Sequence, residues 1–326
     1  MAEQSSANVE INKLTYFDKL CLVANTSTPK LATFKKVPAP KGNVIEVAMD
    51  TDGILEWKAK REGTDVTEYD NALKNAKKVE TRKQEIDQAY MITKRQLKAN
   101  EPIGVADQIA KNQVWAQKQL MKKIEYIIGS NQEAAAANGE EGDKCRGLGA
   151  WIDSTNEAIP EMFRTPASQC ISGAGTLTMA QFDNGLASLF EITGEVGDYL
   201  MFANTKLKSR IKMFERYAGS NENSLVRTQT SASSNQIKWS VDIYDSDYGF
   251  IKIIPDAGLG RESGKALSDD ARFMGFVLNP NMVKIAIDQD VETHELEDKG
   301  AGPRGYCDAI FSLIVENPLA QMKITA

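Results

Sequence analysis

The single histidine, His294, limits the chemistry open to this chain. A site needing two imidazoles, such as an HExxH zinc site or a di-iron bundle site, is excluded. Acid–base work by one histidine or by carboxylates alone is not. A Ser-His-Asp triad would have to recruit His294 from Val291-Glu292-Thr293-His294-Glu295, which reads as a polar strand or loop, and no GxSxG nucleophile elbow occurs. The carboxylates Glu140-Glu141 and Glu262 sit in Gly-rich loops, where a solvated charge is the ordinary state. Gly258-Leu259-Gly260-Arg261-Glu262-Ser263-Gly264-Lys265 has a superficial likeness to a phosphate loop. Its glycine intervals are five or three residues where the motif needs four, and Ala266 replaces the hydroxyl that would bind magnesium. It reads as a mobile Gly-rich loop. Asp50-Thr51-Asp52-Gly53 lacks calcium ligands at Ala48 and at Ala59, where the bidentate Glu would stand, and Asp245 and Asp247 before Gly249 are also out of register. Both clusters are explained as turns. Cys21, Cys145, Cys170 and Cys307 are too far apart for a CxxC pair and read as free thiols, with a long-range disulfide left open. Lys118, Lys122 and Lys123 form a basic patch on a helix, read as a solvated face. No catalytic, cofactor-binding or metal-binding residue is assigned.

The elements that would have to position such groups are easier to read. The 326 residues suffice for one large domain or two ordinary ones. A hydrophobic content of 42% with 26% charged residues is a globular profile, and the net charge of -6 argues against a protein that coats nucleic acid. Residues 1–14 are polar and acidic, unlike a secretory signal. The apolar stretch 309–315 stops at Glu316, short of the roughly 20 residues that span a bilayer. Folding in a reducing cytosol without a membrane is expected.

Residues 1–34, with Thr26-Ser27-Thr28-Pro29, read as an extended arm rather than a packed helix. A strand at 44–47 precedes the turn at Asp50-Thr51-Asp52-Gly53, and Arg61-Glu62-Gly63-Thr64-Asp65 is a second polar turn. The stretch 40–75 is charged and poor in apolar residues, so an extended hairpin there needs a partner surface. The clearest helix is 103–129, with Ile109, Ala116, Leu120, Ile124 and Ile127 on one stripe and Lys111, Lys118, Lys122 and Glu125 elsewhere. Its narrow stripe suits a helix lying across a sheet. Thr178-Met179-Ala180-Gln181 is a capping box opening a second helix, with Phe182, Leu186 and Leu189 inward. Asn204 or Thr205 caps a third, with Leu207, Ile211 and Phe214 inward. Strands are read at 85–92, 199–202, 237–243, 250–254, 283–287, 309–315 and 320–324. The order of helices and strands predicts an α+β fold with no internal repeat.

Several short pieces, by their order and spacing, carry a family resemblance. They are Pro40-Lys41-Gly42, Glu56-Trp57, Glu62-Gly63-Thr64-Asp65, the long helix, Arg146-Gly147-Leu148, Tyr244-Asp245-Ser246-Asp247-Tyr248-Gly249 and Val315-Glu316-Asn317-Pro318-Leu319-Ala320. On these the chain resembles the major head proteins of tailed bacteriophages with the Hong Kong 97 capsid fold, within the group having a short N-terminal arm and no fused scaffold. The resemblance implies an N-terminal arm at 1–34, an extended loop at 35–80 lying over a neighbouring subunit, and a peripheral domain at 81–171 with its spine helix at 103–129. It implies an axial domain at 172–282, a return to the peripheral domain at 283–312 and a C-terminal axial strand at 313–326. The implied function is a structural, non-enzymatic one. Pentamers and hexamers of this chain would close into an icosahedral or prolate head around double-stranded DNA, assembled in a bacterial host's cytoplasm and kept in the virion. A separate scaffolding protein, a portal protein and decoration proteins are the implied partners, with no cofactor. Trp57 is expected to anchor the loop, with Lys58, Arg61, Glu62 and Asp65 in ion pairs between subunits. An encapsulin-like compartment shell is the alternative reading, and a cytosolic enzyme a distant third.

Overall fold

A helix crossing a sheet requires one apolar stripe and one apolar sheet face, and both are present around the long helix. The computed structural model describes residues 28–51, 57, 59–63, 65, 71, 73–98, 107–194, 196–217 and 243–326. Residues 1–27, which the sequence assigns to an extended arm and which include Cys21, lie outside them, as do Lys58 and the stretch 237–242.

The first sheet has four strands in the order β1 (Lys35–Pro38), β10 (Val283–Leu296), β11 (Arg304–Val315), β4 (Gln84–Met91). β1 runs parallel to β10, and the other pairings are antiparallel. Helix α3 (Gln108–Ile128) packs on this sheet through Ala116, Leu120, Ile124 and Ile128. Full burial of one such Leu or Ile side chain is worth about 1.5–3 kcal/mol relative to exposure. Asp107 caps the helix by accepting from the backbone N–H groups of Ile109 (2.9 Å) and Ala110 (3.1 Å). A two-stranded ribbon, β2 (Val44–Met49) with β3 (Lys77–Arg82), lays Val47, Met49 and Val79 on the same core. Two short helices, α2 (Lys94–Lys98) and α4 (Leu148–Trp151), complete this part of the chain, and α4 packs on β11. Trp151 of α4 is fully buried and donates its indole N–H to the carbonyl of Leu313 at 3.2 Å.

The second sheet has six strands in the order β5 (Cys170–Ile171), β12 (Met322–Ile324), β9 (Gly275–Leu278), β6 (Gly197–Ala203), β8 (Gly249–Pro255), β7 (Ile243–Ser246). Helices α5 (Met179–Thr193) and α6 (Thr205–Tyr217) cover one face. The capping box expected at Thr178 and Gln181 is formed, and Phe182, Leu186, Leu189, Leu207, Ile211 and Phe214 point inward as their spacing predicts. The opposite face turns Phe202, Ile254, Phe276 and Leu278 into the first sheet's core, so the two sheets share one interior.

Four readings of the sequence need correction. The end of the supposed extended arm is a helix, α1 (Pro29–Thr33), whose Lys30 is buried. Pro29 opens it, because the missing proline N–H costs nothing at a helix's first position. Lys122 and Glu125, placed on the solvated side of α3, are buried, so Lys118, Lys122 and Lys123 do not form one exposed patch. The strand read at 283–287 runs on as β10 through His294 to Leu296. The strand expected to part from its sheet after residue 312 stays in register with β10 to Val315, and only Met322–Ile324 joins the second sheet.

Candidate assembly surface

The β2–β3 ribbon ends where Met49 pairs with Lys77, and residues 50–76 connect its two strands. Its base is tied by the Asn75 side-chain amide, which donates to the Thr51 carbonyl at 2.9 Å. Further out, Glu62-Gly63 forms a turn in which Gly63 takes φ +81°, a left-handed conformation natural to glycine. Trp57 is 89% exposed, and Arg61, Glu62 and Asp65 are exposed as well. Four of the five sequence-nominated residues are thus exposed in the stretch between β2 and β3, and Lys58 lies outside the described residues. Leu73, at the returning side, is also exposed. Between 50 and 76 the described residues expose an aromatic and charges of both signs, and none of them is buried. Such a surface has nothing to catalyse with, but it has the composition of an interface anchor and its rim.

The root of the arm is the reverse case. Lys30, on α1, has no exposed side-chain surface and pairs with Glu125 of α3 at 3.0 Å and with Asp256, which follows β8. Glu125 also accepts from the backbone N–H groups of Lys30 (2.8 Å) and Leu31 (2.9 Å), satisfying donors at the start of α1. Asp256 accepts from the N–H of Gly258 at 2.7 Å. One cation thus ties the arm, the long helix and the second sheet together. Gly129 lies close beside it: a Cβ there would lie 2.9 Å from the Lys30 Nζ, so a larger residue would have to displace the end of that side chain. Phe34 follows, packing edge-on against Phe202 with ring centroids 5.5 Å apart. None of Lys30, Glu125 and Asp256 was singled out from the sequence as a partner of the others. The one local signal was Thr28-Pro29, a helix-opening pair.

His294 lies on β10 with its Nε2 3.1 Å from Asp308 and 3.8 Å from Glu292, and its ring lies against Tyr306. It faces carboxylates rather than a nucleophile. The loop Gly258–Lys265 is partly a packing element: a Cβ on Gly258 would meet the Tyr126 ring at 2.8 Å, and Arg261 lies over that same ring at 5.1 Å. Among the described residues no cluster of three or more His, Cys, Asp or Glu is arranged to hold a metal ion. No described helix is long and apolar enough to cross a membrane. Cys145, Cys170 and Cys307 are free thiols, and burial pushes the Cys145 thiol up to about 12.

Comparison with known proteins supplies what this geometry lacks. The family model of the SU10 major capsid protein matches residues 3–326. No curated protein matches. Among solved structures, the capsid of cyanophage P-SCSP1u is similar at TM-score 0.60 and 11% identity, covering 96% of this chain and 92% of that one. A structure from Mycobacterium phage Bobi is similar at TM-score 0.57 and 11% identity, covering 99% of both chains. The SrpI encapsulin of Synechococcus elongatus PCC 7942 is similar at TM-score 0.51 and 12% identity, covering all of this chain and 96% of that one. At such identities these likenesses establish the fold, which is the Hong Kong 97 capsid type, and the encapsulin shares it as a distant relative. The chain, a structural protein and not an enzyme, belongs to the SU10 major capsid protein family.

Proposed function

We propose that this major capsid protein closes the head of a tailed phage as pentamers and hexamers, with the 50–76 loop of each copy lying over its neighbour. The observation that carries this reading is Trp57, a large aromatic 89% exposed in a stretch whose described residues, 50–76, include none that is buried. An aromatic in that setting is most useful when a second surface desolvates it. Arg61, Glu62 and Asp65, with Lys58, then serve as rim charges that set register more than affinity. In this reading the first sheet with α3 is the peripheral domain and the second sheet with α5 and α6 is the axial domain. Each contact need not be strong, because a subunit in a shell engages several neighbours at once. A scaffolding protein, a portal and decoration proteins complete the partner set, and assembly takes place in the host cytoplasm. The acidic balance of the chain suits a container that does not bind its DNA tightly.

The test is negative-stain electron microscopy of the purified protein, alone and with a scaffold candidate. Closed polyhedral particles, or rings of five and six, are the expected result. A stable monomer or dimer under both conditions would count against the proposal. In the same assay, Trp57→Ala with Arg61→Glu should cut particle yield at least tenfold, and unchanged yield would remove the loop from the mechanism.

A further inference from the structure

The second sheet is unfinished at one end. Strand register places Asp198 and Leu200 of β6, Phe250 and Lys252 of β8, and Ile243 and Asp245 of β7 on one face. The alternate positions, Tyr199, Met201, Ile251 and Ile253, lie under α5 and α6 on the other. The first face continues the core outward from Phe202 and Ile254, but no described residue covers its far end. Ile243 is 65% and Phe250 55% exposed, and Leu200 is half-buried. A sheet face that goes on presenting large apolar side chains after its own core has ended is a face that something else covers.

The charges say what covers it. This face carries Asp198 and Asp245 against Lys252, with Asp247 in the adjoining turn, and is acidic. On the helix-covered side, α6 carries Lys206, which pairs with Asp269 at 2.6 Å, Arg210, which donates to the Leu177 carbonyl at 2.9 Å, and Lys208 and Lys212, all half-buried; its described side chains, 205–214, include no carboxylate. Met213 stands among them, 38% exposed. One side of the sheet therefore ends in an apolar, acidic face, while α6, on the other side, carries only cations among its described charged side chains. The two surfaces point away from each other and cannot meet within one chain. Two copies related by rotation about an axis can bring them together, and a head-to-tail contact of this kind closes into a ring.

We infer that the β6–β8–β7 face docks on α6 of an adjacent copy, with Phe250 and Ile243 forming the apolar centre and the aspartates meeting the α6 cations. The inference rests on the shell reading above and names the surfaces that would join subunits within one ring. Opposite potentials fix orientation, while the apolar side chains carry most of the contact.

The test places one cysteine on each surface, Phe250→Cys and Met213→Cys, in assembled particles under mild oxidation. The two positions lie on opposite sides of one sheet, so a bond between them within a chain is geometrically closed. A denaturing gel should show a covalent ladder reaching five and six chains for the double variant and no ladder for either single variant or the unsubstituted protein. Particles that form without the ladder overturn the inference and leave the shell reading intact. Unsubstituted protein that forms no particles overturns the shell reading itself. If the double variant does not assemble, carbodiimide coupling is applied to unsubstituted particles made from equal amounts of isotopically light and heavy chains. Asp198 or Asp245 joined to Lys208 or Lys212 across a light–heavy pair is the expected product. Coupling of these aspartates only within one chain, for instance to Lys238, would mean that residues 218–242 cover the face, and the inference would be wrong.

Discussion

The arm root and the loop tip are separated by few residues along the chain, yet they invert the usual partition between inside and outside. Lys30 is a charged side chain with no exposed surface, held between Glu125 and Asp256. Trp57 is the most exposed large apolar side chain among the described residues. A buried cation with two carboxylates belongs to the architecture of a single chain, because removing one partner strands a charge away from water. An exposed aromatic belongs to an architecture of several chains, because its apolar surface is unused until another surface arrives. The first region should therefore govern the stability of the free subunit, and the second only its assembly.

That contrast can be broken or sharpened by experiment. The largest effect is expected at the knot. Lys30→Met leaves two buried carboxylates facing each other and should cost the unassembled subunit about 3–5 kcal/mol in urea unfolding. A loss below about 1 kcal/mol would show that water enters the knot freely. A smaller effect is expected at Asp153, which ties the C-terminal strand to α4: Lys323 donates to Asp153 at 3.0 Å and to the Gly149 carbonyl at 2.6 Å. Asp153→Asn should cost about 1 kcal/mol, since partial solvent exposure screens the pair. Burial alone would raise this carboxyl's pKa, but hydrogen bonds from Thr155 and Lys323 and the Lys323 charge hold it below its ordinary 3.8. The folded subunit thus binds this proton less readily than the unfolded chain. The contribution is complete above 3.8 and is lost as pH falls through the depressed value, so the wild-type advantage over Asp153→Asn should fade in acid unfolding below that pH.

Cys145 gives a kinetic readout of the same closed core. Fully buried, with its thiol pushed up to about 12, it should stay unlabelled by iodoacetamide at pH 8 for hours while the subunit is folded. Labelling within minutes would mean that the core opens locally. The smallest effect is expected at the loop tip, where Trp57→Ala should change subunit stability by no more than about 0.5 kcal/mol. A cost of 2 kcal/mol or more would place Trp57 in a core of its own chain and remove the contrast.

The parts of this fold that repeat were legible in the sequence, and the parts that meet only once were not. The stripes of α3, α5 and α6, the capping box at Thr178 and the turn at Gly63 are local patterns, each written within a few residues. Lys30 and Asp256 lie 226 positions apart and Lys30 and Glu125 lie 95 apart, so no spacing rule connects them. Glu125 was placed in solvent because carboxylates seldom lose all exposure without a partner, and the partner was invisible from its neighbours in sequence. The loop was legible for the opposite reason. A charged stretch holding one tryptophan has no apolar pattern with which to bury it, and composition alone says so. The paired faces of the second sheet became visible only with strand register, which sets Phe250 beside Asp198 and Asp245.

The parallel pairing of β1 with β10 sets a timetable. Lys35 finds its partner at Lys284, and β4 pairs with β11, so the first sheet joins strands that lie far apart in the chain. During synthesis, at roughly 5–20 residues per second, the N-terminal strand waits many seconds for the strands that complete its sheet. A fold dominated by such distant pairings closes late. A chain cut before residue 283 would therefore lack both β10 and β11, the strands on which α3 and β1 are seated. The register between β1 and β10 thus acts as a built-in check that the chain between them has been made.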